Sequence, residues 1–202
     1  VLRTPADFGS LAAIATRDRL NELEFELPLG GGDSPGPRSA GMHAVAALLR
    51  THLPADDDLA GYADHVAALP DTVLRGYLTG SIDAVLRVPD ETGELRYLIV
   101  DYKTNRLGTG DLTVEHYRRD HMVAEMIRSH YPLQALLYAV ALHRYLRWRL
   151  PGYDPARHLG GARYLFVRGM IGAATPPGHG VFDWHPSAEL VVALSDLLAG
   201  QS

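Results

Sequence analysis

The 202 residues suffice for one domain, or one domain with appendages, and 47% of them are apolar, so a core can form. No run of about eighteen apolar residues occurs, which excludes a membrane-spanning helix, and the absence of cysteine excludes disulfides, thiolate zinc sites and cysteine nucleophiles. A formal charge of −5 argues against a free-standing DNA binder, whose surface is ordinarily basic, while the cysteine-free composition agrees with a cytoplasmic location.

In chain order, the opening VLRTPADFGS lacks an initiator Met, a basic n-region and an apolar h-region. It reads as a cut inside a longer polypeptide rather than a signal peptide. Residues 21–29, NELEFELPL, alternate Phe25, Leu27 and Leu29 with Glu24 and Glu26, which predicts a strand. GGGDSPGPRS (30–39) is a Gly/Pro loop, and residues 1–20 and 30–39 are expected to be peripheral to a single domain spanning 1–202. Residues 40–53 predict a helix with Met42, Val45, Leu48 and Leu49 on one stripe. Residues 55–70 predict a second, short helix whose three aspartates form a solvated start. YLTGSIDAVLRV (77–88) and LRYLIVDY (95–102) predict two strands joined as a hairpin through PDETGE. Residues 112–129 predict a ragged, charge-rich helix, and 131–150 an amphipathic helix stopped by Pro151-Gly152. ARYLFVRGM (162–170) and VFDWH (181–185) predict strands, and PSAELVVALSDLLAG a closing helix. Mixed strands and helices with a hairpin among them imply an α/β domain with a mixed central β-sheet, not a doubly wound parallel one.

The chemistry gathers on the hairpin. Side chains two apart on a strand share a face, so Thr79, Ser81 and Asp83 point one way and Leu78, Ile82 and Leu86 the other, and Asp101 shares a face with Lys103. Turn counting puts residue 83 opposite 100 or 101; the register that brings Asp83, Asp101 and Lys103 together is the one expected. Carboxylates held so close repel unless a cation lies between them, and a hard divalent ion such as Mg2+ suits oxygen ligands. Such an ion can polarise a phosphoryl oxygen, with Lys103 orienting water or offsetting charge on the phosphate. Lys103 is also the only lysine, against 18 arginines. By spacing alone the same residues fit an exposed ion pair on an edge strand, with Asp83 capped by a hydroxyl, and that is the commoner arrangement.

GYLTGSIDAVLR, LIVDYKTNRLG, YPLQALLYAVALHRYL and GGARYLFVRGM, in that order and spacing, resemble the RecB nuclease-domain family of the restriction-endonuclease-like, PD-(D/E)XK, nucleases. The resemblance runs from about residue 21 to 185. It implies that Asp83 is the first motif acid and that Asp101 and Lys103 are the Asp-x-Lys pair. It further implies that His43 and the main-chain carbonyl of Tyr102 complete the metal ligands with Asp83 and Asp101. Gln134 and Tyr138 match a Gln-x-x-x-Tyr motif that helps position DNA, with Tyr131 just before it. The implied cofactor is Mg2+, with Mn2+ also suited to an imidazole ligand. Arg118, Arg119, Arg144, Arg147 and Arg149 are candidate phosphate contacts, though a solvated face is the ordinary fate of such residues. The chain departs from some relatives at Ala47, where they carry an acid one turn after the His.

The activity implied is that of an exodeoxyribonuclease V-like, Mg2+-dependent deoxyribonuclease in double-strand-break repair and recombination. Its substrate would be DNA, mainly single-stranded, fed by an ATP-driven helicase. No G-x-x-x-x-G-K-[ST] loop occurs here, so that motor would lie upstream of residue 1. RecC- and RecD-like subunits and the recombinase RecA are the implied partners. The alternative is a catalytically inactive nuclease-fold module that guides DNA or docks a recombinase; the presence of Asp83, Asp101 and Lys103 weighs against it. A stand-alone exonuclease built around an iron–sulfur cluster is excluded by the absence of cysteine.

Overall fold

The computed structural model describes residues 11–30 and 40–201. The first ten residues and all but Gly30 of the expected Gly/Pro loop lie outside the described residues.

The strands and helices follow in the order β1 (Arg19–Pro28), α1 (Met42–His52), α2 (Tyr62–Ala67), β2 (Tyr77–Pro89), β3 (Leu95–Lys103), α3 (Arg119–Arg128), α4 (Tyr131–Arg149), α5 (Pro155–His158), β4 (Leu159–Phe166), β5 (Val181–Trp184) and α6 (Ala188–Leu198). The strands form one sheet in sequence order, β1-β2-β3-β4-β5. β2 and β3 pair antiparallel, β3 and β4 parallel, and β4 and β5 antiparallel. This is an α/β fold with the mixed sheet of a restriction-endonuclease-like core. The parallel step is what a hairpin cannot supply: it needs a long crossover, here residues 104–158 with α3, α4 and α5.

The chain forms two compact units, each built from three segments. The first comprises Val1–Leu23, Ile82–Tyr131 and Arg157–His185. Its apolar cluster contains Ala84, Leu86 and Val88 of β2, Leu98 and Val100 of β3, and Leu165 of β4, with Leu11, Ile14, Met170 and Val181 packed on it. The β2 and β3 members are all even-numbered, so this cluster covers one sheet face, and the acids lie at the end of the odd-numbered face, beyond the buried Val85–Ile99 pair. α3 lies against β5, where Arg119 pairs with Asp183 at 2.9 Å and covers the Phe182 ring at 4.7 Å.

The second unit comprises Glu24–Ser81, Pro132–Ala156 and Pro186–Ser202. In it α1 packs on α2 and α6. α1 buries Met42, Val45, Ala46 and Leu49, close to the expected stripe, with Leu48 half-buried. α6 is capped by Ser187, whose Oγ accepts from Leu190 N–H at 3.1 Å.

Four expectations are corrected. The segment 112–129 is not one helix: a 3₁₀ turn at Val114–Tyr117 is separated from α3 by Arg118, whose extended ψ of 161° breaks the run. α4 is not amphipathic along its middle, because residues 139–143 are buried consecutively, which requires cover around most of the helix. The aspartates at 56–58 precede α2 in turns, where Asp57 accepts from Leu59 N–H at 2.7 Å. β4 begins earlier than expected, with Gly160 and Gly161 in a bulge opposite Tyr97–Ile99.

Candidate active site

The hairpin's turn fixes the register of the two strands that carry the acids. Asp90 accepts from Thr92 N–H and Oγ1, from Glu94 N–H and from Arg96 Nε, at 2.7–3.1 Å. These donors, the Thr92 hydroxyl and Arg96 foremost, hold its carboxyl well below the usual carboxylate range. Gly93, at φ +85°, lets the chain reverse. From that turn the ladder runs Pro89↔Leu95 through Ala84↔Val100. The next step sets Asp83 across from Asp101, which is the convergent register. At that step Asp83 uses its side chain in place of the backbone: Oδ2 accepts from Tyr102 N–H at 2.9 Å.

Asp83 is half-buried, whereas Asp101 is 3% exposed. Burial pushes the Asp101 carboxyl up, Lys103 pulls it down, and the Asp83 charge adds to the rise; the net direction is up. Lys103 Nζ stands 2.7 Å from Asp101 Oδ2. At that distance the ammonium lies against a buried carboxylate oxygen, a charge contact that draws the Asp101 carboxyl down against the effect of burial. Tyr102, between the two, turns its ring outward, 45% exposed.

Lys103 is embedded in aromatic surface. Its Nζ lies 3.9 Å from the centroid of the Tyr131 ring and 5.2 Å from that of Tyr164. With its side chain only 11% exposed, the contact is worth on the order of 2 kcal/mol. The two rings stack at 5.7 Å and 25°. Tyr164 is neighbour to Asp101 in the β3–β4 ladder, and its hydroxyl donates to the Tyr131 carbonyl at 3.2 Å. Tyr131 opens α4 directly after His130, a non-glycine residue at φ +53° that breaks α3 from α4. Thus Tyr131, singled out for DNA positioning, stands beside the lysine.

Two further residues escaped the sequence. Asn105, two beyond Lys103, accepts through Oδ1 from Tyr131 OH at 3.1 Å and donates through Nδ2 to Glu125 Oε1 at 2.7 Å. Glu125, on α3 and 4% exposed, also accepts from Ser129 Oγ at 2.7 Å and pairs with Arg128. The segment after β3 is pinned through its main chain, with Arg168 Nε on the Thr104 carbonyl and Tyr117 OH on the Asn105 carbonyl. Asn105 could have been suspected from its spacing after Lys103. Glu125 gave no signal, being an ordinary acid in a charged helix.

Other candidates lie in the second unit. His43 is the second residue of α1; its main-chain N–H donates to Asp71 Oδ1 at 3.0 Å and its Nδ1 lies 3.3 Å from Asp71 Oδ2. Gln134 Nε2 donates to Tyr138 OH at 3.0 Å, so the i, i+4 pair is real, and Tyr138 meets Phe25 edge-on at 6.0 Å. Arg144 is committed to the fold, bonding Ser195 Oγ and carbonyl at 3.0 and 2.7 Å. Arg147 and Arg149 are exposed, and Arg149 stacks on the exposed Trp148 ring. In the first unit, Arg118 pairs with Asp120 at 2.9 Å.

A divalent cation is implied by the resemblance, and the hairpin end fits one. Two carboxylates face each other there, one of them buried, and oxygen donors of this kind suit a hard ion. Among the described residues no group of three or more His, Asp or Glu side chains surrounds one point, so the side-chain donor set at the hairpin is the two aspartates. No helix among the described residues is long and apolar enough to cross a membrane.

No protein-family model matches the chain. Among characterised proteins it is 60% identical to the RecBCD enzyme subunit RecB of Mycolicibacterium smegmatis over 96% of its own length. It is 57% identical to that of Mycobacterium tuberculosis over 94%, and 34% identical to that of Escherichia coli over 96%. The chain spans only 18%, 17% and 14% of those proteins. The chain therefore belongs to the RecB family, as the homologue of a single segment of its much longer members.

Proposed function

We propose that the hairpin end is the centre of a Mg2+-dependent deoxyribonuclease that hydrolyses phosphodiester bonds. The observation that carries this is the convergence of Asp83, Asp101 and Lys103 at one end of the β2–β3 hairpin, with Asp101 buried. Asp83, Asp101 and, on the resemblance, the Tyr102 carbonyl would hold the ion. When bound, it supplies Lewis acidity toward a phosphoryl oxygen and acidifies water. Asp101, nearly closed to water and beside Lys103, would present its carboxylate to that ion. Lys103, always within reach of the carboxylate, then faces the phosphate with its ammonium and orients the attacking water. The water oxygen bonds to phosphorus as the bond to the leaving oxygen breaks, and the proton the water sheds ends on solvent or on the leaving oxygen.

His43, on resemblance alone, is the imidazole ligand, which suits Mn2+ as well as Mg2+. Gln134 and Tyr138 position DNA on the same basis. The relatives' name, RecBCD enzyme subunit, supports work in recombinational repair alongside RecC- and RecD-like subunits in the cytoplasm, with a helicase from the rest of the relatives' length delivering mainly single strands. RecA is a further partner on the resemblance. The net charge of −5 agrees with delivered rather than captured DNA.

The test is cleavage of end-labelled single-stranded DNA by the chain with Mg2+, with Mn2+ and with chelator. Cutting is expected only with metal, and Asp101→Ala is expected to abolish it. Cutting that persists in chelator or in Asp101→Ala overturns the proposal.

A further inference from the structure

The ring beneath Lys103 is itself held from behind. Glu125 Oε1 takes the Nδ2 proton of Asn105, which settles the orientation of that amide and leaves Oδ1 as the acceptor for Tyr131 OH. The phenol therefore donates, and a donating phenol in a hydrogen-bonded chain is more electron-rich, on its face as well as at its oxygen. That face is 3.9 Å from Nζ. A buried carboxylate with Ser129, Arg128 and Asn105 as its partners is an expensive element to keep, and no step at the two aspartates uses it. A lysine has a long flexible stem, so a second fixed neighbour besides Asp101 narrows where its ammonium can sit.

We infer that Glu125, Asn105 and Tyr131 form a positioning chain for Lys103, acting through the lysine and not on DNA or metal. The inference deepens the nuclease reading and, for its kinetic arm, rests on it. The chain reaches from α3 through the segment after β3 to the first residue of α4, so three elements bear on one ammonium.

Because Lys103 is the only lysine, the chain grown on ε-13C lysine gives a single lysine signal. Its ε-methylene protons are expected upfield of a solvated lysine's, shielded by the ring face. The shift is reduced in Tyr131→Phe and in the isosteric Glu125→Gln, and lost in Tyr131→Leu; a shift unchanged in both of the first two variants shows that Glu125 and Asn105 do not position the lysine and overturns the inference. A wild-type signal at the solvated position, or one that Tyr131→Leu leaves in place, overturns the inference whether or not the chain cuts DNA. In the cleavage assay Tyr131→Leu is expected to lower kcat about tenfold or more with KM for DNA held within about twofold. In a Lys103→Ala background Tyr131→Leu should cost nothing further, within about twofold. A rise in KM at constant kcat, or a full loss in that background, shows that Tyr131 acts on DNA or as a mere brace and sinks the inference. Wild-type failure to cut under every metal condition sinks the nuclease reading, and the lysine signal still decides the positioning.

Discussion

At residue scale, Lys103 is gripped by two forces of different reach. Asp101 pulls on it as a charge, 2.7 Å away, and Tyr131 as a polarisable face. A guanidinium is flat and wider than an ammonium, so it cannot occupy the same space between carboxylate and ring. Lys103→Arg is therefore expected to fold yet lose cleavage by about a hundredfold, measured as kcat on single-stranded DNA; unchanged turnover would remove Lys103 from the mechanism. The buried Asp101 carboxylate facing Asp83 makes a second expectation. Mn2+ at about a hundred times its dissociation constant should stabilise the chain by about 2.7 kcal/mol in urea unfolding. In Asp101→Asn that gain should vanish, and an equal gain there would place the ion elsewhere. Asp83, Asp101 and Lys103 were legible because period-two geometry puts them on one face. Glu125 was not, because its role comes from a contact twenty residues away in sequence, with Asn105, across a turn whose path no local pattern encodes.

At the scale of elements, the hairpin was almost wholly legible: its turn residues, its alternation and one of two registers. What the sequence left open was the choice of register, and Asp90 closes it by gathering the turn's donors around one carboxylate. α4 was legible as a helix but not in its surroundings, since Ala139, Val140, Ala141 and Leu142 read as apolar without saying on how many sides they are covered. His143 lies in that covered stretch, 4% exposed, with Tyr153 OH 3.0 Å from its Nδ1. Burial, with help from Arg147 and Arg144 and against Asp196, lowers its pKa below the ordinary imidazole value. Unfolded, it takes a proton near pH 6.5; folded, it resists until lower pH. The unfolded state thus binds more protons in that window, and stability falls as pH drops below about 6.5, by up to about 1.4 kcal/mol per unit. His143→Gln should flatten this slope below about pH 6.5 in urea titrations. An identical slope would mean that another group carries it.

At the scale of the molecule, the balance of charge matters more than any single arginine. Of the five arginines weighed as phosphate contacts, Arg118, Arg119 and Arg144 are engaged with the protein's own acceptors. Binding by charge neutralisation is thereby left to few groups on a net −5 chain. Fluorescence anisotropy with single-stranded DNA, in metal-free buffer at physiological salt, should give a dissociation constant no tighter than about 10⁻⁴ M. Micromolar binding would instead make this chain a DNA-capturing module in its own right. The division into two units was not legible, because each is stitched from three distant stretches and the boundaries at 23–24 and 81–82 fall inside β1 and β2.

The parallel step from β3 to β4 also sets an order of events. Asp83 and Asp101 meet through a local turn, a closure of microseconds once both strands exist. Tyr164 joins them only when the fifty-five residues from 104 to 158 have been made and folded back. During synthesis the acidic half of the centre can thus exist for seconds before its aromatic half leaves the ribosome. A nascent chain halted before residue 164 would carry the acids while lacking the Tyr164 ring that stacks on Tyr131.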